Sequence, residues 1–118
     1  MADKDTKTVD FEKLKRTVAV GVRMQDNVIN ATPYFLEENK KQALGERRVG
    51  LGVMGLHDML IYCETKYGSP EGNELVDQVF EVIATTAYRT SIELAKEKGS
   101  FPFLTGETTD ETNRLRQA

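Results

Sequence analysis

The chain has 118 residues, about one domain's worth, with 39% hydrophobic residues, 30% charged residues and a net charge of -3, a balance that fits neither a membrane span nor a disordered tail. Sixteen Lys and Arg are interleaved with nineteen Asp and Glu, so no basic stripe forms and nucleic-acid binding is not expected. Cys63 is the only cysteine and His57 the only histidine, which excludes an intrachain disulfide, a Cys/His metal cluster and a redox dithiol.

Residues 1–9 are charged, lack the apolar stretch of a signal peptide and are expected to be flexible. No apolar run approaches the length that crosses a bilayer, so no membrane partner is expected and the cytoplasm is the default location. From Asp10, a natural N-cap, the residues Phe11, Leu14, Val18, Val22 and Ile29 recur at helical spacing and predict an amphipathic helix to about Asn30, its apolar face widened by Met24 and Val28. Thr32-Pro33 then offers a capping side chain and a proline for a short helix from Tyr34 to Leu44, with Gly45 placed to take a left-handed stop.

The run Arg47-Arg48-Val49-Gly50-Leu51-Gly52-Val53-Met54-Gly55 suits a short strand or tight turn over 47–53, followed by a helix from about Val53 to Tyr62. Ser69-Pro70 repeats the cap-plus-proline signal. Leu75, Val76, Val79, Phe80, Ile83, Ala87, Ser91, Leu94 and Ala95 then keep the helical period up to Gly99. A helix from Pro70 to Lys98 would be roughly 40 Å long, more than a globule of this size needs, which points to a larger assembly. Phe101, Phe103 and Leu104 follow the stop and either pack back or stay exposed. Residues 105–118 read as a polar, mobile tail with a frayed helix starting at Asp110. The fold class is therefore mainly α, a four-helix segment spanning 10–104.

Gly50, Gly52 and Gly55 spell the glycine pattern of dinucleotide sites, but only Arg47-Arg48-Val49 precedes them and no strand ending in an acid follows. Close backbone packing at a strand-to-helix turn is the better account. His57 and Asp58 are neighbours on one helix and point about 100° apart, so they cannot readily share a proton, and His57 reads as a satisfied structural histidine. Cys63, at a helix C-terminus whose dipole disfavours a thiolate, reads as a small buried or half-buried hydrophobe. Glu37, Glu38, Glu46, Arg47 and Arg48 form a mixed-charge cluster, either a solvated face or an arginine pair reaching a neighbouring domain's carboxylates. Asp26, Asn27 and Asn30 read as polar capping of the first helix's end, with ligand binding as the rarer alternative.

Taken in order, Asp26-Asn27-Val28-Ile29-Asn30, the run from Glu46 to Leu60, Tyr67-Gly68 and the run from Glu93 to Pro102 resemble the large catalytic chain of ribonucleotide reductases. The glycine run with Leu56-His57-Asp58 is most similar to the adenosylcobalamin-dependent class. The resemblance implies an enzyme that reduces ribonucleotides to deoxyribonucleotides by radical chemistry in a ten-stranded α/β barrel, of which this chain matches one stretch. It also implies adenosylcobalamin in the parent enzyme and the remainder of the reductase chain as partner. The family's radical cysteine loop, its second reducing cysteine and its phosphate-gripping loop have no counterpart here, so no catalytic residue and no metal ligand is assigned, and a cofactor-binding residue stays unknown. Removing a 2'-hydroxyl takes one thiol for the radical and two for the electrons, whereas Cys63 stands alone. The reading is a structural segment, inactive alone, either an excised piece or one part of a split enzyme. Isolated, it is expected to hide its apolar face by self-association. The alternatives are a stand-alone helical protein-binding module and a nucleotide-binding regulator using Gly50 to Gly55.

Overall fold

A computed structural model of the chain describes residues 2, 3 and 5–105. The tail expected over 106–118, with its helix at Asp110, lies outside these residues. The elements in order are β1 (Ala2–Asp3), β2 (Thr8–Val9), α1 (Phe11–Ala31), α2 (Glu37–Glu46), α3 (Leu56–Tyr62), α4 (Pro70–Lys98) and α5 (Pro102–Thr105). The chain is mainly helical, and β1 and β2 form a small antiparallel hairpin pairing Ala2 with Val9 and Asp3 with Thr8.

The two long helices start where their caps place them. The Asp10 carboxylate accepts from the Lys13 backbone N–H, and the Ser69 hydroxyl accepts from that of Gly72, each satisfying a donor that the first turn leaves free. Pro70 follows at the first position of α4, where its missing N–H costs nothing. The helix α1 packs chiefly on α4. Leu14, Val18 and Val22 of α1 and Val79, Ile83 and Leu94 of α4 form a buried cluster with Val9 of the hairpin, each such burial contributing roughly 1.5–3 kcal/mol.

The helices run parallel. Leu14 and Val18 share a hollow with Val79 and Ile83 at one end, while Arg23 pairs with Glu97 and Asp26 with Lys98 at the other. A parallel pair needs a long crossover, and the forty or so residues holding α2 and α3 supply it.

Four details depart from the sequence reading. Thr32 closes α1 rather than opening α2: its backbone N–H and its hydroxyl both donate to the Val28 carbonyl, and Tyr34 Oη donates to the Ile29 carbonyl. With its expected cap used, α2 starts three residues late, behind Leu36, which makes no side-chain cap. Gly45 is not the left-handed stop but a buried helical residue, and Arg47 takes the left-handed conformation at φ 46°. The reason is contact, because a Cβ on Gly45 would run into the buried Phe103 ring of α5. Residues 47–53 form no strand: beyond the left-handed Arg47 the chain joins no ladder, and α3 starts at Leu56 behind Gly55 at φ 76°, not at Val53. Met24 and Val28 do not widen the buried face but are 61% and 54% exposed, since α4 covers only one side of α1.

The Gly45 contact makes a sign test. Helix propensity alone favours Gly45→Ala by about 1 kcal/mol, but the new methyl would push the Phe103 ring out of its site, a loss of about 2 kcal/mol. The expected result is a net destabilisation of about 1 kcal/mol and a lower melting temperature in thermal denaturation; a higher one would show that the ring is not held there.

Candidate functional site

The chain's polar chemistry concentrates where α1 and α4 end together. Asp26 lies in register with the core positions Val18 and Val22, one turn further along the same face, and is buried. Two helix C-termini bring partial negative charge to this end, so a buried carboxylate here needs cations. It receives two. Arg47, turned inward by its left-handed backbone, donates from Nε and Nη2 to Asp26 Oδ1 at 3.0 and 2.6 Å, and from Nη2 to the Asp26 carbonyl at 3.1 Å. Its Nη1 reaches Asn30 Oδ1 at 2.8 Å. Lys98, in the last turn of α4, donates to Asp26 Oδ2 at 2.7 Å and Asn27 Oδ1 at 2.8 Å.

Burial pushes the Asp26 carboxyl up, but the hydrogen bonds from Lys98 and Arg47, with their charges, outweigh it and hold the group below the ordinary carboxylate value. It is therefore a fixed anion with both oxygens engaged, not a proton acceptor. Beside it, Arg23 and Glu97 form an exposed two-point pair at 3.0 and 2.8 Å, where the shared hydrogen bonds and charge raise the arginine and lower the glutamate. These residues tie α1, α4 and the start of the segment after α2 into one clamp.

The structure thus brings together Asp26, Asn27, Asn30 and Arg47 from the sequence candidates and adds Lys98, Arg23 and Glu97. The reading of Asp26 and Asn30 as helix caps is corrected, because they hold Arg47 while Thr32 caps α1. Of the two arginines read as a pair reaching another domain, Arg47 is instead satisfied within the chain, while Arg48 is exposed beside Glu46 at 3.0 Å. Glu37 and Glu38 stay exposed on α2, where Glu37 pairs with Lys40. The four-residue spacing of Asp26 after Leu14, Val18 and Val22 was the available signal, since a carboxylate on an apolar stripe demands a cation.

The remaining candidates do not converge. His57 is exposed, not a satisfied core histidine, and its ring meets that of Tyr67 at 5.6 Å in a tilted contact. Asp58 lies in the first turn of α3, whose dipole favours an acid. Cys63 is half-buried against the core, and burial raises its thiol pKa, which opposes a reactive thiolate. A Cβ on Gly50 or Gly52 would meet nothing within 4 Å, so neither glycine is explained by packing inside this chain, and no strand precedes them to build a dinucleotide turn.

Beyond the clamp, residues 48–54 cross the surface between two apolar hollows. One, of about 410 Å³, is lined by Leu14, Val18, Leu51, Val53, Val79 and Ile83 among others. The other, of about 380 Å³, is lined by Val22, Val49, Leu51, Phe80, Ala87 and Tyr88 among others.

Helices carrying a buried ion cluster, with a segment free of backbone pairing between open apolar hollows, define a mainly helical framework. A family model for the ribonucleotide reductase barrel domain matches residues 1–115, and the chain belongs to that family. The vitamin B12-dependent ribonucleoside-diphosphate reductase of Thermoplasma acidophilum is 41% identical over 98 residues, which is 83% of this chain and 13% of that protein. The ribonucleoside-diphosphate reductase subunit alpha of Chlamydia pneumoniae is also 41% identical, over 102 residues, 86% of this chain and 10% of that one. The vitamin B12-dependent reductase of Mycobacterium tuberculosis is 36% identical over 97 residues, 82% of this chain and 14% of that protein. The chain thus spans 10–14% of the length of these relatives. No solved structure matches it.

Removing the Asp26 charge should expose the clamp's cost. Asp26→Asn leaves Arg47 and Lys98 facing a neutral amide and is expected to lower stability by about 2–3 kcal/mol in denaturant unfolding, short of the loss at a fully buried pair. Because the folded carboxyl titrates below its unfolded value, its contribution is complete above about pH 4 and fades as pH falls further, through the folded pKa. The acid limb of the stability profile should therefore flatten in the variant; an unchanged limb would mean that Asp26 is not the titrating group.

Proposed function

We propose that this chain is a structural segment of a ribonucleotide reductase, serving the reduction of ribonucleotides to deoxyribonucleotides as framework without performing it. The observation that carries the reading is the segment 48–54. Among the described residues none of its backbone N–H groups makes a hydrogen bond, and only the Gly50 carbonyl is used, by Gln25 Nε2 at 2.7 Å. An extended, apolar stretch left unpaired on both edges, with glycines facing open space, suits a strand whose neighbours lie in the rest of the enzyme. Those neighbours would be the other strands of the ten-stranded barrel, and their side chains would fill the two hollows. Residues 10–104 would form the helical support of this strand, with Val9 of the hairpin packed into its core.

The reaction's sulfur chemistry belongs elsewhere in such an enzyme. One thiol for the radical and two for the electrons are needed, and the sequence holds Cys63 only. The names of two relatives support adenosylcobalamin as the cofactor of the parent enzyme, where it would supply the initiating radical. The described residues do not fit it: the hollows are open and lined mainly by aliphatic and aromatic side chains, with only scattered polar groups such as Thr17, Asp58 and Ser91 to meet a corrin's amide fringe.

Mixing this chain with the complementary part of a reductase tests the reading. Nucleotide reduction is expected with both parts and absent with either alone; failure to associate at micromolar concentration would overturn it. Alone, the chain is expected to cover its exposed apolar residues, among them Met24, Tyr88 and Ile92 at 61%, 74% and 55% exposure, by self-association. Sedimentation should then show a concentration-dependent mass, lost when the complementary part is added.

A further inference from the structure

Segment 48–54 lacks backbone partners, yet three contacts fix where it runs. Arg47 is bound by Asp26 and Asn30 through four hydrogen bonds. Just before Asp26 on α1, Gln25 holds the Gly50 carbonyl. Further back, the Leu51 side chain lies against Gly21, where a Cβ would approach its Cδ1 to 3.1 Å. The anchors follow α1 backwards, so the segment runs antiparallel to that helix. Four extended residues from Arg47 to Leu51 span about 13 Å, comparable to the rise of α1 between Asn30 and Gly21.

The first anchor differs from the others. Arg47 adopts φ 46°, a backbone that an arginine enters at a conformational cost. The position favours glycine on conformational grounds, and what an arginine adds there is its forked side chain. That fork also meets the carboxylate held by Lys98 from the end of α4, so the exit direction of the segment is linked to the docking of the two long helices.

We propose that Arg47 is a positioning residue: its guanidinium, seated on Asp26 and Asn30, holds residues 48–54 extended and presented for strand pairing before any neighbour arrives. This deepens the framework role proposed above and rests on it for its consequence, though the ordering itself is a property of this chain alone. A pre-ordered strand meets its neighbour without losing conformational freedom at that step, which strengthens association by the factor that ordering contributes.

Two variants of the full chain separate the side chain from the turn. Arg47→Gly keeps the left-handed conformation and removes the fork; Arg47→Lys keeps the charge and cannot reach Asp26 and Asn30 together. By ¹⁵N relaxation, residues 48–54 of the unsubstituted chain should show order parameters near the rigid value of about 0.85, falling below about 0.6 in both variants, while far-UV circular dichroism retains the helices. Affinity for the complementary reductase part should weaken by about tenfold, as expected if the competent population falls to about a tenth. The proposal is overturned if the segment is mobile in the unsubstituted chain, if Arg47→Gly leaves it ordered, or if both variants lose the helices, which would make Arg47 a general fold residue. If the unsubstituted chain shows the ordering but does not bind the complementary part, the framework reading fails and the positioning stands.

Discussion

A buried carboxylate governs this fold. Asp26 sits where two parallel helices bring their negative ends together, the place where an acid is least welcome. Its ionised form is tolerated because two cations, 21 and 72 positions away in sequence, converge on it. Neither interaction is local, so each constrains topology. Lys98 has to end α4 beside the end of α1, which sets the helices parallel and in register. Arg47 has to turn inward as α2 ends, which sets where the chain goes next.

From that constraint follows the course of the segment after α2. The chain leaving Arg47 is not folded into a ladder or covered by a helix; it is laid along α1 with Val49, Leu51 and Val53 between two open hollows. Backbone polar groups are left for something else to pair. Gly50 and Gly52, which nothing in the chain approaches, are the side-chain-free positions at which another backbone can come close. Membership of the reductase barrel family, over residues 1–115, is the context in which we propose a support whose working partner is strand, not ligand.

What the sequence made legible was whatever depended on neighbours a few residues away. The limits of α4 and the start of α1 were readable because Asp10, Ser69 and Pro70 act within one turn. Errors arose where a distant residue decided the outcome. Thr32 had two possible roles, ending one helix or beginning the next, and hydrogen bonds to Val28 settle it. Gly45 reads as a stop until Phe103, 58 positions later, is seen to need its missing Cβ. Arg47 reads as an outward charge until Asp26 is found buried. The hairpin of residues 2–3 and 8–9 had no periodic signal, since two-residue strands are too short to show one. At the candidate site Asp26, Asn27, Asn30 and Arg47 were singled out correctly but for separate reasons. Their union depends on Lys98, a residue that sequence gives no cause to place beside them.

The exposed residues of α1 and α4 carry the last step. A helix with one partner needs one apolar stripe, and α1 spends Leu14, Val18 and Val22 on α4. It nonetheless presents Val20, Met24 and Val28 on another side, at 67%, 61% and 54% exposure, and α4 does the same with Tyr88 and Ile92. Apolar residues at helical spacing on a second face are what a helix buried from two directions requires. The same pattern that looks excessive in a chain of 118 residues is the ordinary pattern of an inner layer. One side of the fold is therefore closed by the α1–α4 contact and the Asp26 clamp, while the other sides keep apolar residues at helical spacing exposed.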